Sequence, residues 1–316
     1  MNNKVLLIDT LHESFIPQLT SIGFDCMEGY DWSKEKIIKE LPAFTGIAIR
    51  SRIPIDKEIM TAATQLKFIA RAGAGMENID VPFAESKNIV CLNAPEGNRD
   101  AVAEHCIMML LSLFNNLLRA DKEVRNGIWL REENRGIELD GKTIGIIGYG
   151  NMGSAFARRL KSFNVNILVY DKYIEVSSPD DYFAEQTNME TIFEKADVVS
   201  LHVPLTTETK YLVNDAFIRT FKKDIYIINT SRGKCLNTDD VVNHLKTGKV
   251  KGACLDVLEY ETSSFEKINK EDLPPAFQYL CQSENVVLTP HIAGWTHESN
   301  RKIAEVLVKK IAALGA

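Results

Sequence analysis

At 316 residues the chain is long enough for two domains of ordinary size and a substantial core. Hydrophobic residues make up 45% and charged residues 25%, as in soluble globular proteins, and a formal charge of −6 without a dense Lys/Arg stripe argues against a nucleic-acid partner. The longest apolar stretch, residues 106–114, is too short for a bilayer and is flanked by Glu104, His105 and two asparagines, so no membrane partner is expected. The N-terminus enters a strand-like run at residues 4–8 and does not read as a signal peptide. Six cysteines (Cys26, Cys91, Cys106, Cys235, Cys254, Cys281) show neither CxxC pairs nor metal-like spacing. Reduced, mostly buried thiols, no metal and a cytoplasmic location are the expectations.

The first hundred residues alternate short apolar runs with helical patterns. Residues 5–8, 46–49, 68–70 and 89–92 read as strands, and segments near Phe15, Ile37, Glu58 and Phe83 as the helices between them. That alternation predicts a parallel sheet with helices on both faces. A long helix without internal glycine or proline follows over about residues 100–126. Its apolar side (Val102, Ile107, Leu110, Leu111, Phe114, Leu117, Leu118) is broad enough to need burial, against its own chain or against a second subunit. The second is the expectation, since the helix precedes the next α/β run and can act as an arm. From residue 143 the alternation resumes, with strand-like runs at 144–147, 167–170, 198–202, 225–229, 252–256 and 286–289. A last amphipathic helix, 297–314, lies beyond the final strand and is expected to pack back onto the first domain.

Within that second run, Gly148-x-Gly150-x-x-Gly153 sits between an apolar strand and a helix-like stretch (154–162), and the next apolar run ends in Asp171. Each residue has a task in dinucleotide binding. Gly148 allows a tight turn, Gly150 lets the backbone approach a pyrophosphate, and Gly153 lets helix and strand pack closely. The helix N-terminus faces the phosphate charge. Asp171 can accept from both ribose hydroxyls and repels a 2′-phosphate, which favours NAD(H) over NADP(H); Lys172 is placed to offset part of that repulsion.

Three further residues follow strands of the same sheet: Arg232, Glu261 and His291. Ligands of open parallel sheets bind outside the carboxyl ends of the strands. Alone, each residue has an ordinary reading as a surface ion pair, a loop acid or a structural histidine. Together, beside a dinucleotide motif, they suit hydride exchange with an α-hydroxy or α-keto acid. The guanidinium clamps the carboxylate and polarises the C2 oxygen, and the imidazole exchanges the hydroxyl proton while the acid orients it.

At these residues the chain resembles the D-isomer-specific 2-hydroxyacid dehydrogenases. The resemblance runs through Asn93-Ala-Pro95, Val102-Ala-Glu-His105, the glycine motif, Ser200-Leu-His-Val-Pro204, Asn229-Thr-Ser-Arg-Gly233, Leu255-Asp-Val257 with Glu261, and Thr289-Pro-His-Ile-Ala-Gly294. It implies an α/β fold of two Rossmann-like domains with a cleft between them. A discontinuous, flavodoxin-like substrate domain would span 1–98 plus 292–316. A doubly wound NAD-binding domain would span 99–291, with a dimerisation arm near 100–140. By resemblance, Arg232, Glu261 and His291 are the catalytic set. Asp256 holds the nicotinamide carboxamide, Asn151 and Met152 contact the pyrophosphate, and Val203 and Pro204 wall the adenine pocket. Ala74, Thr209, Thr230, Ser231 and Gly294 complete the cofactor contacts. The backbone of Arg71-Ala-Gly73-Ala74-Gly75 receives the substrate carboxylate, and Arg50, Ser51, Arg52 and Trp295 are further substrate contacts.

The N-terminal half is most similar to phosphoglycerate dehydrogenases, and the arginines at 50, 52 and 71 suit a phosphate. Departures put the substrate in question. No regulatory extension is expected after the final helix, and Trp295 stands where those enzymes usually carry serine. Thr262 replaces a common proline, and Lys234-Cys-Leu-Asn-Thr238 replaces an acidic stretch while keeping Asn237 or Thr238 as a helix cap. The expected activity is NAD-dependent hydride transfer at C2 of a small 2-hydroxy or 2-keto acid by a homodimer. Phosphoglycerate, hydroxypyruvate, glyoxylate and lactate types remain open, and transcriptional corepressors similar to this family provide a binding-module alternative.

Overall fold

The computed structural model describes residues 3–176, 183–261 and 273–315. The chain separates into two compact units, Met1–Arg99 with Trp295–Ala316, and Asp100–Gly294.

The first unit is a five-stranded parallel sheet in the order β2-β1-β3-β4-β5, built from β1 (Lys4–Leu7), β2 (Asp25–Glu28), β3 (Gly46–Ile49), β4 (Phe68–Arg71) and β5 (Val90–Leu92). This is the flavodoxin order. Side chains of β1 and β3 alternate between faces, as a two-residue period requires. Leu6, Ile8, Ile47 and Ile49 face Ile37 of α2 (Lys34–Glu40) and Ile59 of α3 (Lys57–Ala62). Val5, Leu7 and Ala48 face Phe15 and Leu19 of α1 (Phe15–Ser21) and Leu307 and Ile311 of α12 (His297–Ala312). The chain's last helix therefore completes the core of its first unit. Its start is fixed by a capping box between Thr296 and Ser299. Acids cap α3 and α4 (Val81–Ser86), where Asp56 and Asp80 accept from Ile59 N and Phe83 N.

The second unit is a seven-stranded parallel sheet in the order β12-β11-β10-β9-β6-β7-β8. Its strands are β6 (Thr143–Ile147), β7 (Asn166–Tyr170), β8 (Ala184–Gln186), β9 (Val198–Leu201), β10 (Ile225–Asn229), β11 (Val250–Leu255) and β12 (Val286–Leu288). One face is covered by α5 (Pro95–Phe114) and α7 (Asn151–Leu160) through Cys106, Leu110, Ala155 and Phe156. The other is covered by α8 (Met189–Lys195), α9 (Asp215–Thr220), α10 (Thr238–Thr247) and α11 (Pro275–Gln282). Strand order reverses between β6 and β9, the topological switch at which open sheets bind ligands.

One expectation needs correction. The single helix over 100–126 is two helices, α5 and α6 (Leu117–Arg125), bent by 62°. Asn116 breaks it by adopting a left-handed φ of 49°, which asparagine tolerates better than other non-glycine residues. Leu117 and Leu118 are then 54% and 58% exposed instead of extending the buried stripe. The edge strands β2 and β8 had no forecast at all, because Asp25-Cys-Met-Glu28 and Ala184-Glu-Gln186 lack an apolar run. Polar edges of this kind are how sheets avoid further pairing.

Candidate active site

The glycine turn after β6 has the geometry its sequence requires. Gly148 has φ +94°, and a Cβ there would lie 2.6 Å from the His202 carbonyl oxygen. A Cβ on Gly153 would lie 2.0 Å from the Gly148 oxygen. Both positions are closed to any side chain. Gly150 is the opposite case: a Cβ there meets nothing within 4 Å, and it caps α7 with no side chain of its own. The first amides of α7, at Asn151 and Met152, thus begin an uncapped helix beside open space, a cradle suited to a pyrophosphate. Val203 lines the turn, with its Cγ1 3.0 Å from that same Gly148 position. Thr209 Oγ1 donates to the Pro204 carbonyl at 2.6 Å and fixes this wall. Beneath it, the half-buried His202 ring bonds Ser200 Oγ at 2.8 Å and packs on Phe156. Burial pushes its pKa down to about 3, so it stays neutral.

Asp171 leans across the turn, accepting from Tyr149 N at 2.6 Å and from Tyr173 N and Ile174 N at 2.8 and 3.0 Å. Three donors fix the carboxylate at the end of β7. Lys172 does not soften that charge, because its ammonium lies 2.7 Å from both oxygens of Glu208.

Arg232, Asp256 and His291 follow β10, β11 and β12, three adjacent parallel strands in register at Asn229, Leu255 and Leu288. The fully buried Asn229 shapes the first loop. Its Oδ1 accepts from Ser231 N and Oγ, and its Nδ2 donates to the Arg232 carbonyl at 3.0 Å. Thr230 Oγ1 lies 3.3 Å from Cys106 Sγ, and burial drives that thiol's pKa up to about 12. A Cβ on Gly233 would lie 2.0 Å from the backbone of Leu258, so the arginine loop and the segment carrying Glu261 pack backbone to backbone.

Glu261 and His291 meet. Glu261 Oε2 lies 2.7 Å from His291 Nδ1, and Oε1 accepts from Leu258 N. An ionised carboxylate holds no proton, so Nδ1–H donates and Nε2 is left for proton exchange. His291 itself has φ +56°, a left-handed conformation costing about 1 kcal/mol that a non-glycine residue adopts only when its surroundings impose it. Asp256, 1% exposed, imposes it by accepting from Ile292 N and Ala293 N. Gly294 closes this loop at the end of the unit. Thr262 lies outside the described residues. Among the described residues, no group of three or more His, Cys, Asp or Glu side chains is arranged to hold a metal.

In the first unit, residues 50–52 and 71–75 leave neighbouring strands β3 and β4 at one sheet edge. Asp9 Oδ2 accepts from Arg50 N, Ser51 N and Arg52 N at 2.6, 3.1 and 3.3 Å. Asn93 Nδ2 donates to the Ala74 carbonyl at 2.6 Å. Gly73, at φ +149°, has the Arg71 guanidinium 1.6 Å from where a Cβ would stand. Arg50 lies 4.0 Å over the ring of Trp295, which is 66% exposed. Arg52 is engaged within the first unit. It donates to the carbonyls of Ile8, Gly29 and Trp32, an internal brace for the loops after β1 and β2.

Sequence reasoning gave no role to Asp9, and treated His105, Asn229 and Thr289 only as parts of motifs. Asp9 and Asn229 share a readable signal, a short polar residue at or just past the end of a buried strand. His105 and Thr289 lie in motifs, but tertiary packing alone brings them together across 184 residues, and nothing in the sequence pairs them.

Residues 107–293 match the family described as D-isomer specific 2-hydroxyacid dehydrogenase, NAD binding domain. A D-3-phosphoglycerate dehydrogenase of Archaeoglobus fulgidus is 34% identical over 98% of this chain, which spans 56% of that protein's length. A glyoxylate reductase of Thermofilum pendens is 38% identical over 91% of this chain and 84% of its own. The crystal structure of a D-lactate dehydrogenase from Aquifex aeolicus complexed with NAD and lactic acid superposes with a TM-score of 0.82 at 28% identity, covering 99% of this chain and 95% of that one. With a family match across most of the second unit and relatives similar over nearly the whole length, the chain belongs to the D-isomer-specific 2-hydroxyacid dehydrogenase family.

Proposed function

We propose that the chain is an NAD-dependent oxidoreductase interconverting a D-2-hydroxy acid and its 2-keto acid. The observation that carries this reading is the 2.7 Å His291–Glu261 pair, presented at the same sheet edge as the open glycine turn. When bound, the nicotinamide supplies or accepts the hydride at substrate C2. Gly150, Asn151 and Met152 receive the pyrophosphate, and Asp171 takes the ribose hydroxyls and disfavours a 2′-phosphate. Arg232 holds the substrate carboxylate and polarises the C2 oxygen. For reduction, imidazolium His291 gives its Nε2 proton to that oxygen; for oxidation, the neutral ring takes it back. Glu261 stays on Nδ1–H in both directions and steadies the charged ring.

Two substrate readings have their own support. D-3-phosphoglycerate is favoured by the Archaeoglobus relative and by Arg50 and Arg71 at one edge of the first unit's sheet. A smaller keto acid such as glyoxylate or hydroxypyruvate is favoured by the internal use of Arg52, by Trp295, and by the Thermofilum relative, most of whose length is matched. NADH oxidation against a panel of 2-keto acids with and without phosphate separates them. In that assay Arg232→Ala should lose about a thousandfold in turnover while keeping NADH affinity within threefold. Full turnover in the variant ends the assignment.

Homodimerisation through the arm is part of the same reading. Leu117, Leu118, Val124, Ile128 and Trp129 are 45–76% exposed within the chain, an apolar surface that a second copy would cover. Sedimentation should show a dimer for the wild type and mostly monomer for Trp129→Glu. A cytoplasmic location accords with six unpaired cysteines.

A further inference from the structure

Three successive amides converge on one residue behind the acid–base. His291 N donates to the Asp256 carbonyl at 2.8 Å, Ile292 N to Asp256 Oδ1 at 2.8 Å, and Ala293 N to Oδ2 at 2.9 Å. The left-handed backbone of His291 therefore depends on where that carboxylate points. Its orientation is set from the far side. Thr289 Oγ1 donates to Asp256 Oδ1 at 2.6 Å. With its only proton committed, the hydroxyl can only accept from His105 Nε2, 3.0 Å away. His105 thus carries its proton on Nε2, which also lies 3.5 Å from Asp256 Oδ1. The ring is rooted on α5, packed against the β12–β11 side of the sheet by Cys106 and Met109. Burial lowers its pKa and Asp256 opposes that shift only in part, so it serves as a neutral donor.

We propose that His105 is a positioning residue for His291, acting through Thr289 and Asp256 to hold the turn that presents the His291 ring to Glu261. Without the Nε2–H, the Thr289 hydroxyl is free to turn to its other acceptor, Met109 Sδ at 3.8 Å. Asp256 Oδ1 then loses a donor and Ile292 N loses a fixed acceptor. The chain His105–Thr289–Asp256 acts as one unit, and cutting it at either end has the same consequence.

The inference rests on the reading of His291 as the acid–base, and its test separates the two. His105→Ala should lower kcat about tenfold to fiftyfold, with KM for the keto acid within threefold. His105→Gln, which returns an N–H to Thr289, should recover to within about threefold of wild type. Thr289→Val should match His105→Ala, and the double variant should be no worse than either single one. Independently of turnover, hydrogen exchange at Ile292 and Ala293 should quicken at least tenfold in His105→Ala and Thr289→Val, with the Tyr149 amide unchanged. Unaltered exchange at Ile292 and Ala293, additive losses, or a glutamine variant as poor as alanine in a folded protein would overturn the proposal. A wild type that turns over no 2-keto acid would defeat the reading of the reaction, while the exchange data would still decide the role of His105.

Discussion

Each unit places loops at the carboxyl edge of a parallel sheet where its strand order reverses, and the two edges are filled differently. In the first, Asp9 follows β1 and accepts from the amides of Arg50, Ser51 and Arg52, so the turn carries its own anion. In the second, Gly148 follows β6, Asp171 takes only the Tyr149 amide of that turn, and the space beside Gly150 is empty of side chains. A carboxylate supplied from within makes one edge a brace; glycines that exclude side chains leave the other ready for an anion from outside. The same fold does both, which is why its function has to be argued from its loops.

The sharpest way to break this contrast is to fill the second edge. Gly153→Ala would put a methyl 2.0 Å from the Gly148 oxygen, and backbone cannot yield as a flexible side chain can. The turn must shift, so NADH affinity should fall a hundredfold or more, with about 1–3 kcal/mol lost in stability from overpacking. Calorimetric titration with NADH measures the first and thermal unfolding the second. Wild-type affinity in this variant would mean the turn is no cofactor cradle.

Opening the first edge should act differently. Asp9→Ala removes the acceptor of three amides and should cost about 3 kcal/mol. The loss should appear as faster hydrogen exchange at residues 50–52 and a lower urea midpoint, while NADH affinity stays within twofold. A parallel loss of NADH affinity would show that the two edges are not separate devices.

The two edges also differ in how far they could be read beforehand. The glycine motif, Asp171 and the strand-end Arg232, Glu261 and His291 were legible because each couples a residue type to a position just past an apolar run. The doubly wound fold was legible for the same reason, since buried parallel strands are continuous apolar runs. Asp9 had only a generic signal: a polar residue just past a buried strand has no particular task until the partner loop, forty residues on, supplies its amides. The break at Asn116 was missed because composition through 100–126 is helical throughout, and one left-handed residue leaves no trace in periodicity. Arg52 shows the converse. Its neighbours suggested a phosphate site, whereas carbonyls of Ile8, Gly29 and Trp32, from the loops after β1 and β2, hold the guanidinium.

Lys172 provides the finest test of how the open edge selects its anion. Adjacent to Asp171 in sequence, it looked able to offset repulsion of a 2′-phosphate. Its ammonium instead sits on Glu208, which raises its pKa and leaves a local pair of no net charge. Both side chains are exposed, so water screens whatever field remains. Lys172→Ala should therefore change the ratio of NADH to NADPH affinities by less than about threefold. Glu208→Ala is the informative partner, because it frees the ammonium beside Asp171 and should move preference toward NADPH by a few fold, most visibly at low salt. Equal effects from both substitutions would mean that Lys172 already acts on the 2′ position in the wild type, and that the carboxylate of Asp171 does not set the preference alone.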